Sequence, residues 1–172
     1  MSAVQSLLML AFPALVIVGG LTDAATFTIP NRISLALAGL YFVAALICHQ
    51  PLIQFAVTVA VGFVALIAGM GMFAAGWIGG GDAKLFAASA LWLGLPGVAP
   101  FLLVTALAGG ALAVILLNAR SAALKPYFAS APAWFARLVT PGAGVPYGVA
   151  IAVGALVAYP HGVLMGGAPL HF

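Results

Sequence analysis

Seven charged side chains punctuate 172 residues, and the segments between them hold little that water would solvate. No Asp, Glu, Lys or Arg occurs in residues 1–22, 33–81, 85–119 or 138–172. A soluble domain carries about a quarter charged residues. Here the share is 4%, with 66% hydrophobic residues and a mean hydropathy of +1.29. Such surfaces must face lipid, where backbone polar groups have to be paired within the chain, and that restricts the runs to helices. The expected fold class is all-α: a polytopic membrane helical bundle of about six transmembrane helices, with residues 1–172 as one membrane domain. Gly, Pro and charge punctuation predict the helices over Val4–Leu21, Ile33–Ile47, Leu52–Ala75, Ala83–Leu95, Pro100–Asn118 and Pro146–Met165. The opening MSAVQSLLML has no basic residue ahead of its apolar stretch, so it reads as the start of the first span rather than a cleaved signal.

The charges assign the faces. With six spans, Arg32, Lys84, Arg120, Lys125 and Arg137 all fall on one side of the membrane. The positive-inside rule names that side cytoplasmic and puts both termini on the other. His49, His161 and His171 fall opposite, and five or seven helices would scatter the basic residues. The long segment Ala119–Val145 interleaves its cations with Tyr127, Phe128, Trp134 and Phe135 and carries Pro126, Pro132 and Pro141. Aromatics and cations together suit the headgroups of an anionic leaflet, so membrane lipids are expected partners; substrate docking is the competing reading. The net charge of +3 follows from topology and makes a poor phosphate footprint, so no nucleic-acid partner is expected. Cys48 is the only cysteine, which excludes an internal disulfide and a Cys-rich zinc site. The scattered histidines make no metal site. Small residues spaced by four, Ala65/Gly69, Ala106/Gly110 and Gly109/Ala113, are expected to let helices approach closely.

Two carboxylates remain, Asp23 and Asp82, both at the cytoplasmic edge of a predicted span. Read structurally, Asp82 is a helix N-cap and Asp23 a solvated boundary residue. Against that, acids at membrane depth are costly and mark functional sites. Asp82 also follows three glycines, Gly79, Gly80 and Gly81, in the stretch GWIGGGDAKLF. Glycines reach backbone angles closed to other residues and permit close backbone approach, so a substrate chain could lie along them beside the carboxylate. Two facing carboxylates sharing a proton can hydrolyse a peptide bond, one ionised to activate water and the other protonated to polarise the carbonyl. Helix polarity favours negative charge at Asp82, which begins a helix, over Asp23, which ends one. That makes Asp82 the expected base.

Asp23 followed by IPNRISL, GGGDAKLFAA around Asp82, and VPYGVAIAVGAL later in the chain carry a resemblance. With the six-helix pattern, they make the chain similar to bacterial prepilin peptidases of the short, membrane-only type that serves Flp/Tad pili. These are Gly-x-Gly-Asp aspartyl proteases of the inner membrane. The resemblance implies a peptidase that removes the leader of Flp-type prepilins and pseudopilins at the cytoplasmic face, with Asp23 and Asp82 as the catalytic pair. Gly79 and Gly81 are the supporting glycines it implies, and no cofactor is required. Larger members carry an additional cytoplasmic region, often with a Cys tetrad, and also methylate the new N-terminus. This chain lacks that region, so no methylation is expected. Archaeal preflagellin peptidases share the aspartate logic; presenilin-like proteases are longer and carry a Tyr-Asp motif absent here. Asn31 either caps the second helix or orients the site, and Lys84 is either a topology charge or a site neighbour. Pro146 and Tyr147 enter the last helix on the active face and are candidate lining residues. A small transporter or proton relay, and an inactive pilus-assembly scaffold, are the rival readings.

Overall fold

Capping and proline chemistry set the helix starts. Ser2 and Gln5 form a reciprocal capping box, Gln5 N–H to Ser2 Oγ at 3.3 Å and Ser2 N–H to Gln5 Oε1 at 2.8 Å. They open α1 (Ala3–Thr26), which ends where Phe27 turns left-handed at φ 54°. Pro30 and Pro51 stand immediately before α2 (Asn31–Ile47) and α3 (Leu52–Ala74), where a missing N–H is harmless. Then follow α4 (Gly80–Ala119), α5 (Ala133–Leu138) and α6 (Tyr147–Ala158), which runs into a 3-10 turn, Tyr159–His161, at Pro160. This computed structural model describes residues 2–121 and 131–165, and no strand occurs among them. Lys125, Pro126, Tyr127, Phe128 and His171 lie outside the described residues. α1, α3 and α4 are each long and apolar enough to cross a membrane, and α2 and α6 are shorter apolar helices. The chain is an all-helical bundle of membrane type.

α4 unites the predicted fourth and fifth helices, but it is not straight. At Gly94 the backbone leaves the helical region, with φ 60° and ψ −168°. The chain folds back there, so that Phe86 stacks on Phe101 with ring centroids 5.1 Å apart. The arm before Gly94 lies along α3, with Gly69 against Ala83 and Gly62 against Leu91. The returning arm lies along α6, with the Thr105 hydroxyl filling the place of a Gly154 side chain and the Tyr147 ring packed on Gly109. The predicted breaker Gly94-Leu95-Pro96-Gly97 therefore acts as a hairpin. The predicted start at Ala83 moves back to Gly80, and the predicted helix to Met165 stops at Ala158.

The α4 hairpin is the centre of the bundle. α3, α6 and α2 pack on it, and α1 packs against both α6 and α2. One end of the bundle is locked by aromatic residues. Phe12 stacks on Tyr159 at 4.7 Å and meets Trp92 at 5.3 Å, while the Trp92 Nε1–H donates to Leu37 O at 2.7 Å. The other end holds both aspartates. Close packing uses Ala65/Gly69 and Gly109 as expected, but not Ala106/Gly110. Ala106 and Gly110 are exposed, and a side chain at Gly110 would meet nothing within 4 Å.

The backbone angles of Gly94 are reserved for glycine, and a Cβ there would stand 3.0 Å from Val163 Cβ and 3.1 Å from Thr58 Oγ1. Gly94→Ala is expected to destabilise the bundle by about 1–3 kcal/mol. Gly39→Ala, in open space on α2, is expected to stabilise by up to ~1 kcal/mol. Thermal unfolding in detergent checks both; equal melting temperatures would remove the hairpin's dependence on Gly94.

Candidate active site

The turn between α1 and α2 builds one half of the site. Phe27 N–H closes α1 by donating to Asp23 O at 2.8 Å, and the chain then brings Ile29 against the start of α4. A Cβ on Gly81 would lie 3.0 Å from Ile29 Cβ and 3.2 Å from both its N and O. Only glycine lets the two backbones meet this closely. Asp23 and Asp82 both end up buried, 4% and 8% exposed.

Each carboxylate accepts an amide from the start of a helix. Asp82 is the third residue of α4, and its Oδ2 accepts the Gly79 N–H at 3.1 Å. Its other oxygen, Oδ1, is buried without a hydrogen-bond partner in the protein. Asp23 Oδ2 accepts the Gly148 N–H at 2.7 Å, on the second residue of α6. Helix-start amides lack intrahelical acceptors and are available for such bonds. The Gly148 amide also lies within interaction range of Asp82, and the two carboxylates within electrostatic range of each other. The polarity argument for Asp82 as base rested on Asp23 having only the end of its own helix. With α6 presenting its start to Asp23, helix polarity no longer separates the roles.

The three glycines divide their work. Among the described residues the glycines with positive φ are Gly76, Gly94 and Gly142, so Gly79, Gly80 and Gly81 do not supply unusual backbone angles. Gly79 supplies its N–H to Asp82, Gly81 supplies close approach to Ile29, and Gly80 meets only the Phe73 ring at an ordinary 3.5 Å. Asp82 is therefore not the N-cap; it reaches back to Gly79, which is.

The other candidates fall elsewhere. Asn31 does not cap α2; its Oδ1 accepts the Lys84 Nζ–H at 2.9 Å. Lys84 follows Asp82 by two residues, about 200° around the helix, and so lies on another face of α4. Pro146 is buried just before α6, and the Tyr147 ring packs on Gly109. Among the described residues no three His, Cys, Asp or Glu side chains gather as a metal site needs. The residue that sequence reasoning missed is Gly148. A Cβ there would stand 2.8 Å from Asp23 Cβ, Asp23 Oδ2 and Ile29 Cδ1. Its signal was a glycine in the first turn of a predicted helix, a position that costs about 1 kcal/mol relative to Ala and so needs a reason.

Two buried carboxylates, one oxygen without a partner and an amide between them can hold and exchange a proton with a water or a carbonyl placed among them. A family model described as the type IV leader peptidase family matches residues 10–114, a span that contains both aspartates and the three glycines. No curated protein and no solved structure matches.

Sterics rank the glycines for a direct test. Gly148→Ala and Gly81→Ala force neighbouring atoms apart and are expected to cost about 1–3 kcal/mol each. Gly80→Ala is expected to be neutral or slightly stabilising. Thermal unfolding of the three variants is the measurement, and equal loss at Gly80 and Gly148 would contradict the packing described.

Proposed function

This chain belongs to the type IV leader peptidase family, and from that premise we propose that it is a membrane-embedded aspartyl endopeptidase working through Asp23 and Asp82. The observation that carries the reading is the meeting of these two buried carboxylates at the start of α6, with Asp82 Oδ1 left unpartnered. One carboxylate is ionised and takes a proton from a water molecule as its oxygen attacks the scissile carbonyl carbon. The other, protonated, hydrogen-bonds to the carbonyl oxygen as negative charge develops there and passes its proton across. The tetrahedral diol then collapses: the C–N bond breaks, the leaving nitrogen takes a proton from the first carboxyl, and a diol hydroxyl returns its proton to the second. Atoms and charges balance, and the pair ends as it began. Two coupled carboxylates titrate as a unit, so the proton belongs to the pair rather than to either residue.

The family supports prepilin-type substrates in general; we take them to be of the Flp type, cut behind their leader, on the resemblance carried by IPNRISL and GGGDAKLFAA. We place the reaction at the cytoplasmic face of the inner membrane. Both aspartates sit at the end of the bundle where Arg32, Lys84 and Arg120 also lie, while His49 and His161 lie toward the other. A multi-pass arrangement with both termini periplasmic accords with that distribution and with the positive-inside rule.

Co-expression with an Flp-type prepilin and measurement of the substrate's mass tests the reading. Asp23→Asn and Asp82→Asn are each expected to lower cleavage by at least about a hundredfold, the scale on which positioned acids and bases act, with membrane insertion unchanged. Equal cleavage by the wild type and both variants would remove the paired-aspartate mechanism.

A further inference from the structure

A second feature lies on another face of the same helix. A cleft of about 460 Å³ opens between α2 and α3, with α4 as its floor, and the rings of Tyr41, Phe42 and Phe55 join the two helices at its far end. Neither aspartate lines it. One end is polar, made by Asn31, Lys84 and Ser34; from there to Phe42 and Leu91 the lining is apolar. Lys84 Nζ has a neutral partner, Asn31 Oδ1 at 2.9 Å, and an ammonium group has two further donors to offer. Ser34 is 7% exposed, and its Oγ is buried without a hydrogen-bond partner. Ser34 lines the cleft, and turning its side chain to another rotamer would bring the hydroxyl to a ligand there.

The length of the cleft and the order of its polar groups select the occupant. From Asn31 to Phe42 the cleft follows α2 for about 16 Å at 1.5 Å per residue, close to half of a ~30 Å hydrocarbon core. Its apolar lining and its length suit an acyl chain. The polar groups come in a matching order: a cation at the rim, a hydroxyl one turn deeper, then an apolar channel of about 12 Å. We propose that the α2–α3 cleft binds one acyl chain of an anionic phospholipid, with the headgroup phosphate on Lys84 and an ester carbonyl accepting the Ser34 hydroxyl. The proposal stands independently of the peptidase mechanism.

The test uses the full-length protein in neutral detergent, titrated separately with dioleoyl phosphatidylglycerol and dioleoyl phosphatidylcholine. Native mass spectrometry reads the bound lipid. The expected result is saturable binding of one lipid with phosphatidylglycerol preferred. Lys84→Gln should weaken phosphatidylglycerol about fivefold, as loss of one cation near a membrane surface does, and erase the preference. Ser34→Ala should weaken both lipids alike. Ala38→Phe, on the cleft wall, should abolish binding while the lipid-free protein keeps its melting temperature; if that variant fails to fold, the lipid preference and its loss in Lys84→Gln decide alone. Inorganic phosphate should not displace the lipid. Equal, unsaturable uptake of both lipids, a Lys84→Gln variant indistinguishable from wild type, or one-for-one displacement by an apolar helical peptide would each overturn the assignment, the last in favour of a protein partner.

Discussion

The Gly148 N–H donates at 2.7 Å to a carboxylate 125 residues earlier in the chain, and the geometry of the aspartate end follows from that bond. A carboxylate withdrawn from water without partners is strongly unfavourable, whereas one that accepts an amide in a low-dielectric interior makes a strong hydrogen bond. The bond pins the end of α1 to the start of α6. It leaves room for the Ile29 turn, whose backbone meets Gly81, and Gly81 in turn sets where α4 begins and where Asp82 stands. A side chain at Gly148 or Gly81 would push these segments apart, so two glycines far apart in sequence maintain one distance.

The opposite end of the bundle supplies the rigidity that such an arrangement requires. Trp92 is wholly buried and holds Leu37 O through its indole N–H, and the Tyr159 hydroxyl donates to Met9 O at 2.7 Å. These bonds tie the α4 hairpin to α2 and the 3-10 turn to α1, with Phe12 between the rings. At the aspartate end Asp82 Oδ1 is left without a hydrogen-bond partner in the protein.

The first arm of α4 thereby serves two environments. One side carries Asp82 toward α1 and α6; another carries Lys84, Ala88 and Leu91 along the cleft between α2 and α3. Because the two sides differ in rotation about one short helix, lipid held in the cleft and substrate at the carboxylates need not compete for space.

Much of this was legible in the residues, for identifiable reasons. Long uncharged runs admit only helices in lipid, and so the all-helical membrane class followed from composition and periodicity alone. Asp23 and Asp82 stood out because a chain with so few charges retains an acid at membrane depth only under constraint, and GGGDAKLF with IPNRISL carried the family. Tertiary structure decided the rest. The breaker at Gly94 could be read as a helix end, but not as a fold-back that stacks Phe86 on Phe101, since local angles do not reveal what the arms will pack against. Helix polarity distinguished the two aspartates only while each was considered on its own helix; α6 brings a second helix start to Asp23, and the distinction is lost. Gly148 was one glycine among 21 in the sequence, and only the convergence of α1, α6 and the Ile29 turn shows why no larger residue fits. Sequence determines which groups are available and what solvent they face, because those depend on side-chain chemistry and period. Which groups meet is decided by packing between segments far apart in the chain, and that is where the carboxylate pair and the cleft arise.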